Sequence, residues 1–266
     1  MSDLKVSGEK KELLDIAMRA CKVAGSEIMK IYASGEFDVQ TKNDNSPLTK
    51  ADLASNEALF FYLNNTRIDI CSEERILDAS KRAKSSRFWL IDPLDGTKDF
   101  LQKNGEFSIC VALIENGAPE LAVIYIPFSR EMFYASGNGM VFKNGVLLKP
   151  KKYDKVVISG HSSHSVSVDK MCEHFGFKRA HCGSAIKFCR LVEGEASVYP
   201  RFCASSIWDI AAGDYLLRQS GGAMLNMRTG EQFSYNGELK NDFFVAVSAG
   251  ERENIQKYLA YAQSLI

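Results

Sequence analysis

The stretch WLIDPLDGT, residues 89–97, decides the architecture because an apolar run meets a proline between two carboxylates. Its apolar start is typical of the end of a buried strand. Pro93 lacks an N–H and has a fixed φ, so we expect the chain to turn there with its carbonyls free. Asp92, the Leu94 carbonyl and Asp95 would then offer the hard oxygen ligands that Mg²⁺ prefers. An ordinary strand-end turn is the competing interpretation, since DxxDG also occurs by chance.

The next two residues of this stretch suit a phosphate. Gly96 lets the backbone approach a ligand closely, because it carries no Cβ. Thr97 opens a polar stretch, so the N–H groups of Gly96 and Thr97 can face an anion. The stretch therefore predicts a turn that holds a metal ion and a phosphate together.

Acidic residues at three other places fit the same site. Glu73 and Glu74 follow a short strand-like run, and Asp209 precedes an apolar helical pattern, where the helix dipole favours an anion. Asp52 lies three residues after Thr49 at the start of another helical pattern. Each position also has a purely structural explanation. Glu73 and Glu74 could be a solvated acidic pair, Asp209 an N-cap, and Asp52 the acidic half of a capping box. Taken singly, the structural explanations are the better ones.

The composition restricts the class of protein. The 266 residues suffice for one large two-lobed unit, and 33 basic residues balance 33 acidic ones. Without a basic run, no nucleic-acid polymer is expected as a partner. We see no secretory signal, no membrane-spanning stretch and no CxxC spacing among the seven cysteines, which predicts a cytoplasmic protein with reduced thiols and no stable membrane insertion. Weak peripheral membrane association and the oligomeric state stay open.

The periodic segments predict two lobes. A long first helix stops at Gly35, and a second begins near Thr49 and directs four apolar residues to the core: Leu53, Leu59, Phe60 and Leu63. Residues 107–148 alternate like strands, with turn signals at 116–117, 137–139 and 144–145, which predicts an antiparallel sheet covered by these helices. Strands and helices alternate from about residue 151, with helices over 168–175 and 184–192. We therefore expect an α+β lobe over residues 1–150 and a smaller α/β lobe over residues 151–266.

Taken together, these motifs resemble a known family over nearly the whole chain. The chain is similar to the lithium-sensitive, Mg²⁺-dependent phosphatases of the inositol-monophosphatase superfamily, whose hallmarks are an acidic pair, DP(L/I)DGT, and WD before a small-residue helix. Those hallmarks lie here at residues 72–74, 92–97 and 208–213. Within the superfamily it most resembles the 3′(2′),5′-bisphosphate nucleotidases of the CysQ type, through residues 45–52, 95–107, 183–189 and 199–202. The resemblance implies a layered α/β sandwich.

Charge explains why such an acidic cluster needs metal. If Glu73, Asp92, Asp95 and Asp209 converge in a partly desolvated cleft, like charges would make them take up protons. Two Mg²⁺ ions would cancel that charge and attract a phosphate ester. The resemblance implies that one ion takes Glu73, Asp92 and the Leu94 carbonyl, and that the other takes Asp92, Asp95 and Asp209. In some relatives a third metal accompanies the substrate.

The resemblance also implies the catalytic pair and the substrate contacts. A Thr97 hydroxyl held by Asp52 would orient the attacking water and accept its proton. The substrate would contact residues of both lobes: Glu73, Leu94, Asp95, Gly96, Thr97, His164, Ser184, Lys187, Arg201 and Asp209. The start of the Ser184 helix also forms a reasonable anion cradle. On the residues alone, Lys187 and Arg201 would instead be ordinary surface charges.

Two histidines in this region raise the question of zinc. His161 and His164 have near-helical spacing, which would suit a metal pair. No third ligand is near them in the sequence, so zinc is disfavoured.

These features predict an Mg²⁺-dependent phosphatase that converts adenosine 3′,5′-bisphosphate into AMP and phosphate, with 3′-phosphoadenosine phosphosulfate as a second candidate substrate. The resemblance implies clearance of a by-product of sulfate assimilation and inhibition by Li⁺. One alternative is an inositol or sugar monophosphatase on the same metal core, which Arg201 disfavours because it suits a second phosphate. A catalytically idle nucleotide or metal sensor is disfavoured because every acidic position and Thr97 are present. Trimming of very short RNA is disfavoured, because it would need a basic groove and the sequence indicates none.

Overall fold

The computed structural model describes residues 8–42, 47–149, 155–161 and 165–266. Its helices are α1 (Gly8–Ser34), α2 (Lys50–Leu63), α3 (Ala79–Lys84), α4 (Thr97–Leu101), α5 (Ser165–Phe175), α6 (Ile186–Glu193), α7 (Ile207–Gln219) and α8 (Ile255–Gln263). Two short 3₁₀ helices span Asn64–Thr66 and Ala249–Asn254.

The strands of the first half are β1 (Gln40–Thr41), β2 (Pro47–Leu48), β3 (Asp69–Ser72), β4 (Arg87–Asp95), β5 (Ser108–Glu115), β6 (Ala118–Ile126), β7 (Glu131–Ala135), β8 (Phe142–Lys143) and β9 (Val146–Leu147). Those of the second half are β10 (Val156–Ser159), β11 (Lys178–His181), β12 (Val198–Arg201), β13 (Ser205–Ser206), β14 (Ala223–Asn226), β15 (Lys240–Asn241) and β16 (Phe244–Val247).

The first two helices form where the apolar spacing predicts them. Gly35 ends α1 with φ +74° and donates its N–H to the Ile31 carbonyl. The N-cap of α2 is Thr49, in a capping box with Asp52. Leu59 is fully buried, whereas Leu53 is 45 % exposed. The prediction that Leu53 faces the core is therefore wrong, because it lies on the solvent side of α2.

The first half builds a seven-stranded sheet in the order β3-β4-β5-β6-β7-β8-β9. Two tight turns confirm the predicted Asn-Gly hairpins, since Asn116 and Gly117, and likewise Asn144 and Gly145, all have positive φ. Strands β5 to β9, which lie within residues 107–148, pair antiparallel as predicted, whereas the earlier strand β3 pairs with β4 in parallel. A crossover that contains α3 joins these two strands, which is the type of connection that parallel neighbours need.

The second half builds a five-stranded mixed sheet in the order β11-β10-β12-β16-β14. Strand β11 was not predicted, because its sequence KRAH lacks an apolar alternation. The predicted helix over 184–192 begins instead at Ile186. Ser184 precedes it with φ +47°, outside the helical region.

Three apolar cores define the layers. Alternate residues of β5 point to opposite faces, so Val111 packs with α1 and α2 while Ala112 packs with α6 and α7. The core around α6 and α7 also receives residues from the second sheet, and α5 and α8 cover that sheet's other face. The result is a five-layered α/β/α/β/α sandwich, which confirms the predicted fold class. The predicted boundary between residues 150 and 151 lies outside the described residues.

All seven cysteines are free thiols, and six of them are buried. Among the described residues, no helix has both the length and the apolar character that a membrane span requires.

Candidate functional site

The two aspartates of the opening stretch are separated by a β-bulge. Asp92 pairs with Cys110 and Asp95 with Ser108, so β4 holds one extra residue between them. The expectation that the chain turns at Pro93 is wrong, because β4 continues to Asp95. The bulge tolerates a proline, since a bulged residue need not donate to the ladder. The Pro93 carbonyl accepts a hydrogen bond from Ser55 Oγ at 2.6 Å, whereas the Leu94 carbonyl faces the site.

Gly96 follows the bulge with φ +92°. A Cβ at this position would lie 3.0 Å from both the Glu106 carbonyl and Ser184 Cβ. The two halves of the chain therefore meet closely here, and only glycine fits without displacing one of them. Thr97 begins the short helix α4 immediately afterwards.

Thr97 and Asp52 are in contact, as the resemblance implies. Thr97 Oγ1 lies 3.3 Å from Asp52 Oδ1 and 3.3 Å from the Leu94 carbonyl oxygen. The other oxygen of Asp52 accepts the Thr49 N–H at 2.8 Å and the Thr49 hydroxyl at 2.6 Å. Asp52 thus caps α2 and faces Thr97 at once, and burial raises the pKa of its carboxyl.

Asp209 reaches the site from the second half of the chain. It is the third residue of α7, and its Oδ2 accepts the Ser206 N–H at 3.0 Å in a second capping box. A cleft of about 540 Å³ is lined by Asp209 together with the other predicted metal ligands, Glu73, Asp92, Leu94 and Asp95. The structure therefore brings all the predicted ligands to one cavity.

The electrostatics of these carboxylates fit a divalent cation. Burial and then Glu73, Asp95 and Asp209 hold the pKa of Asp92 well above its usual range. Burial and then Asp209 raise the pKa of Asp95 to about 7. The pKa of Asp209 is raised by burial and by Glu73, although Arg201 opposes the shift. Like charges in a buried cluster would be protonated without a compensating positive charge.

The carboxylate oxygens of the acidic cluster are farther apart than the ligands of one bound ion would be. Among the described residues, no three of the four predicted carboxylates have ligand atoms within 4.8 Å of one another. Such a group of three occurs instead at Asp99, Glu106 and His161. Binding a cation between Asp92, Asp95 and Asp209 would therefore draw their side chains together, as expected when mutual repulsion is relieved.

Lys42 is a site residue that the sequence did not indicate. Its ammonium lies 2.7 Å from Glu73 Oε1 and 2.6 Å from Glu74 Oε1. Burial lowers the pKa of Lys42, but the two glutamates outweigh it and the net shift is upward. Since 31 residues separate Lys42 from Glu73 and no motif marks it, only the folded chain could identify this contact.

The predicted phosphate cradle near α6 is partly occupied by the protein itself. The Ala185 N–H donates to the Asp95 carboxylate. The Lys187 ammonium donates to the carbonyls of Cys182 at 3.1 Å and Ser184 at 2.6 Å. Lys187 lines the cleft but is buried, and its charge lowers the pKa of Asp95. It therefore supports the acidic cluster as well as the cleft wall.

Arg201 is a cation of the cleft with one unpartnered donor among the described residues. Its Nη1 donates to the Tyr199 hydroxyl at 3.2 Å, and its buried Nε has no hydrogen-bond partner among the described residues. Burial lowers the pKa of Arg201, whereas Tyr199 and Asp209 raise it, with a net increase. The guanidinium lines the same cleft as the carboxylates. His164, the other predicted nucleotide contact, lies outside the described residues.

Two carboxylates lie near the imidazole of His161. Its Nε2 lies 2.5 Å from Glu106 Oε2, and Asp99 completes the group. The expectation that no third ligand lies near His161 is therefore wrong, because the fold supplies carboxylates 55 and 62 residues away in the chain. Spacing in the sequence could not reveal this group.

Comparisons with known proteins identify the family of this chain. Residues 9–265 match the model of the inositol monophosphatase family. The 3′(2′),5′-bisphosphate nucleotidase CysQ of Escherichia coli (strain K12) is 34 % identical over 232 residues, which cover 84 % of this chain and 94 % of the relative. The CysQ of Buchnera aphidicola is 35 % identical over 236 residues, or 85 % and 88 % of the two chains.

Solved structures share the fold. CysQ from Bacteroides thetaiotaomicron superposes with a TM-score of 0.77 at 29 % identity and covers 93 % of this chain and 99 % of that chain. An IMPase of Thermotoga maritima superposes with a TM-score of 0.80 at 23 % identity over 96 % and 99 % of the two chains. The second likeness concerns the fold alone.

Proposed function

This chain belongs to the inositol monophosphatase family, and we propose that it hydrolyses adenosine 3′,5′-bisphosphate to AMP and phosphate as a 3′(2′),5′-bisphosphate nucleotidase. It is a metal-dependent phosphoric monoester hydrolase, as its family and its CysQ relatives are. The observation that carries the substrate assignment is Arg201, a half-buried cation in the cleft that also holds the acidic cluster.

The family uses divalent metal ions, and we propose two Mg²⁺ here. Every predicted ligand is an oxygen, which favours Mg²⁺ over softer metals. Glu73, Asp92 and the Leu94 carbonyl would hold one ion, and Asp92, Asp95 and Asp209 the other. When bound, the ions would polarise the phosphate and stabilise charge on the attacking and leaving oxygens. A third ion carried by the substrate and competition by Li⁺ are part of the same proposal.

Thr97 and Asp52 would move the proton of the attacking water. The water oxygen forms a bond to phosphorus while the bond between phosphorus and the 3′ oxygen breaks, and the 3′ oxygen leaves with the bonding pair and takes a proton from solvent. The Thr97 hydroxyl can accept the water's proton as it passes its own proton to Asp52 Oδ1, 3.3 Å away. Because burial raises the pKa of Asp52, it is a stronger base than an exposed aspartate.

Arg201 would bind the phosphate that is not cleaved. Guanidinium groups bind phosphate through paired N–H donors, and Arg201 lines the cleft with its buried Nε unpartnered among the described residues. The Gly96 and Thr97 N–H groups would bind the phosphate that is cleaved, and Ser184 and His164 would contact the nucleotide. Lys187 would act mainly by its charge, because its ammonium already donates to two carbonyls.

The proposal assigns different tasks to the two predicted lobes. Residues 1–150 would supply Glu73, Asp92 and Asp95, and residues 151–266 would supply Asp209 and Arg201. We also propose a cytoplasmic location, where adenosine 3′,5′-bisphosphate arises during sulfate assimilation. The 3′-phosphate of phosphoadenosine phosphosulfate has the same chemistry, so this compound would be a second substrate.

Phosphate release tests this proposal. Adenosine 3′,5′-bisphosphate, 3′-AMP and inositol 1-phosphate are compared with Mg²⁺ in the wild type, Arg201→Ala and the surface control Arg228→Ala. We expect the bisphosphate to be preferred, and Arg201→Ala to lower its kcat/KM by about 10- to 150-fold, the value of one charged hydrogen bond. Faster turnover of the inositol ester by the wild type, or an equal effect of both variants, would contradict the assignment.

A further inference from the structure

We propose that Asp99, Glu106 and His161 form a second metal site, here called the rim site, which binds a transition-metal ion such as Zn²⁺. The rim site shares no residue with the acidic cluster. Asp99 and His161 line the same cleft as that cluster, while Glu106 lines a neighbouring cavity of about 400 Å³. The proposal does not depend on which phosphate ester the enzyme cleaves.

Three separate segments converge at the rim site. Asp99 lies in α4, Glu106 precedes β5, and His161 follows β10. One ligand atom from each lies within 4.8 Å of the other two, and His161 Nε2 and Glu106 Oε2 are 2.5 Å apart. In tetrahedral zinc sites the ligand atoms are about 3.4 Å apart, as metal–ligand distances near 2.1 Å require. Small side-chain movements would therefore complete the coordination.

Surrounding groups hold the three ligands in place. Asn104 Nδ2 donates to Asp99 Oδ1 at 2.7 Å, and the Gly183 N–H donates to Glu106 Oε2 at 2.7 Å. The ring of His161 stacks on His181 with centroids 6.0 Å apart. Such supporting contacts orient metal ligands and tune their affinity.

The backbone is shaped to the site at Gly183. A Cβ on this residue would lie 2.6 Å from Asp99 Oδ2, so any larger side chain would push the carboxylate away. The same Cβ would lie 2.6 Å from the Glu106 backbone carbonyl, and the Gly183 N–H donates to the Glu106 carboxylate. Gly183 is therefore in close contact with both acidic residues, although like charges repel.

The ligand set selects the class of metal. One imidazole and two carboxylates suit zinc and its neighbours in the first transition row, whereas Mg²⁺ prefers oxygen ligands alone. Three protein ligands leave a fourth position open for water or a ligand. Since Asp99 belongs to the first half of the chain and His161 to the second, a bound ion would join the two halves at the edge of the cleft.

Zinc titration of the whole chain tests the rim site. The protein is stripped with a chelator, saturated with Mg²⁺ to occupy the acidic cluster, and titrated with Zn²⁺ in a calorimeter. We expect one Zn²⁺ per chain in the wild type and a loss of affinity of at least tenfold in His161→Ala and in Glu106→Gln, since even outer-shell changes cost about 10- to 100-fold. The control His174→Ala changes an exposed histidine in α5 and should bind as the wild type does.

Two outcomes would overturn the rim site. One is undiminished Zn²⁺ binding in His161→Ala and Glu106→Gln, and the other is no Zn²⁺ binding by the wild type. The variant Asp209→Asn distinguishes the two sites. It should alter any Zn²⁺ binding that displaces Mg²⁺ from the acidic cluster, and it should leave the rim-site isotherm unchanged. Because binding is measured without substrate, a failure of the nucleotidase proposal would leave this result unaffected, and the reverse also holds.

Discussion

Asp52 and Asp209 each stabilise a helix end and also belong to the candidate site, since Asp209 lines the cleft and Asp52 contacts Thr97, which lines it. Both are the third residue of a helix and accept the N–H of the capping residue, Thr49 or Ser206. The structural and functional explanations of these aspartates are therefore compatible, and a suitable substitution can separate them. Asparagine keeps an oxygen for the cap but removes the charge.

Asp209→Asn should abolish most activity without unfolding the protein. We expect kcat/KM for adenosine 3′,5′-bisphosphate to fall by at least about 100-fold, since even outer-shell changes at metal sites cost 10- to 100-fold. The thermal midpoint of the metal-free protein should be maintained or raised, because a buried like charge is removed. Phosphate release and thermal unfolding measure the two effects, and near-normal turnover would show that Asp209 is not a metal ligand.

A pair of substitutions at Thr97 tests the proton path. Thr97→Ser keeps the hydroxyl between Asp52 and the Leu94 carbonyl, so it should retain much of kcat. Thr97→Val keeps the shape but cannot transfer a proton, and its kcat should fall by roughly 10²- to 10⁴-fold, the usual contribution of general base catalysis. Equal kcat values for the two variants would exclude this role for the hydroxyl.

At the scale of secondary-structure elements, α7 positions the site by packing directly on α6. Gly213 of α7 faces Phe188 of α6, and a Cβ on Gly213 would lie 2.2 Å from that ring. The first turn of α7 carries Asp209, so the depth at which α7 packs determines where this carboxylate lies. Gly213 therefore helps to place Asp209 in the site, because it lets α7 pack closely on α6.

Gly213→Ala should destabilise the fold by about 1–3 kcal/mol, the usual cost of overpacking a core. The matched control is Gly237→Ala, where an added Cβ would meet no atom within 4 Å. Urea denaturation of the metal-free proteins gives both free energies of unfolding. If the two variants were equally stable, the close packing of α6 and α7 would not be a constraint.

The sequence predicts best the features that depend on neighbours in the chain. The helix end at Gly35 and the hairpin at Asn116 follow from local backbone preferences, and both were predicted correctly. The bulge at Pro93 and strand β11 were not, because tertiary pairing determines them. The carboxylates of the site were found through their motifs. Lys42 was missed because its partners lie far along the chain.

At the scale of the whole molecule, we expect the acidic cleft to lower the stability of the metal-free enzyme as pH rises. The pKa of Asp95 is raised from 3.8 to about 7, and the pKa values of Asp92 and Asp209 are also raised. Between pH 3.8 and about 7, Asp95 binds more protons in the folded state than in the unfolded state. The free energy of unfolding therefore falls as pH rises through this range. The contribution of Asp95 is present below about pH 4 and is lost as pH rises towards 7.

Mg²⁺ should therefore stabilise the protein more at high pH. Without Mg²⁺ we expect this cluster to lower the thermal midpoint at pH 8 relative to pH 5. Added Mg²⁺ should raise the midpoint by several degrees at pH 8, at about 2–4 °C per kcal/mol, and by less at pH 5, where protons compete for the ligands. An Mg²⁺ effect that is equal at both pH values would argue against cation binding by these carboxylates.

We propose that carboxylates from distant parts of the chain hold divalent cations in one cleft. Anomalous diffraction from crystals grown with Mn²⁺ and adenosine 3′,5′-bisphosphate would locate these cations. We expect strong Mn²⁺ peaks among Glu73, Asp92, Asp95 and Asp209, with one phosphate of the nucleotide beside them and the other at Arg201. A cleft in which none of these carboxylates contacts a metal peak would contradict it.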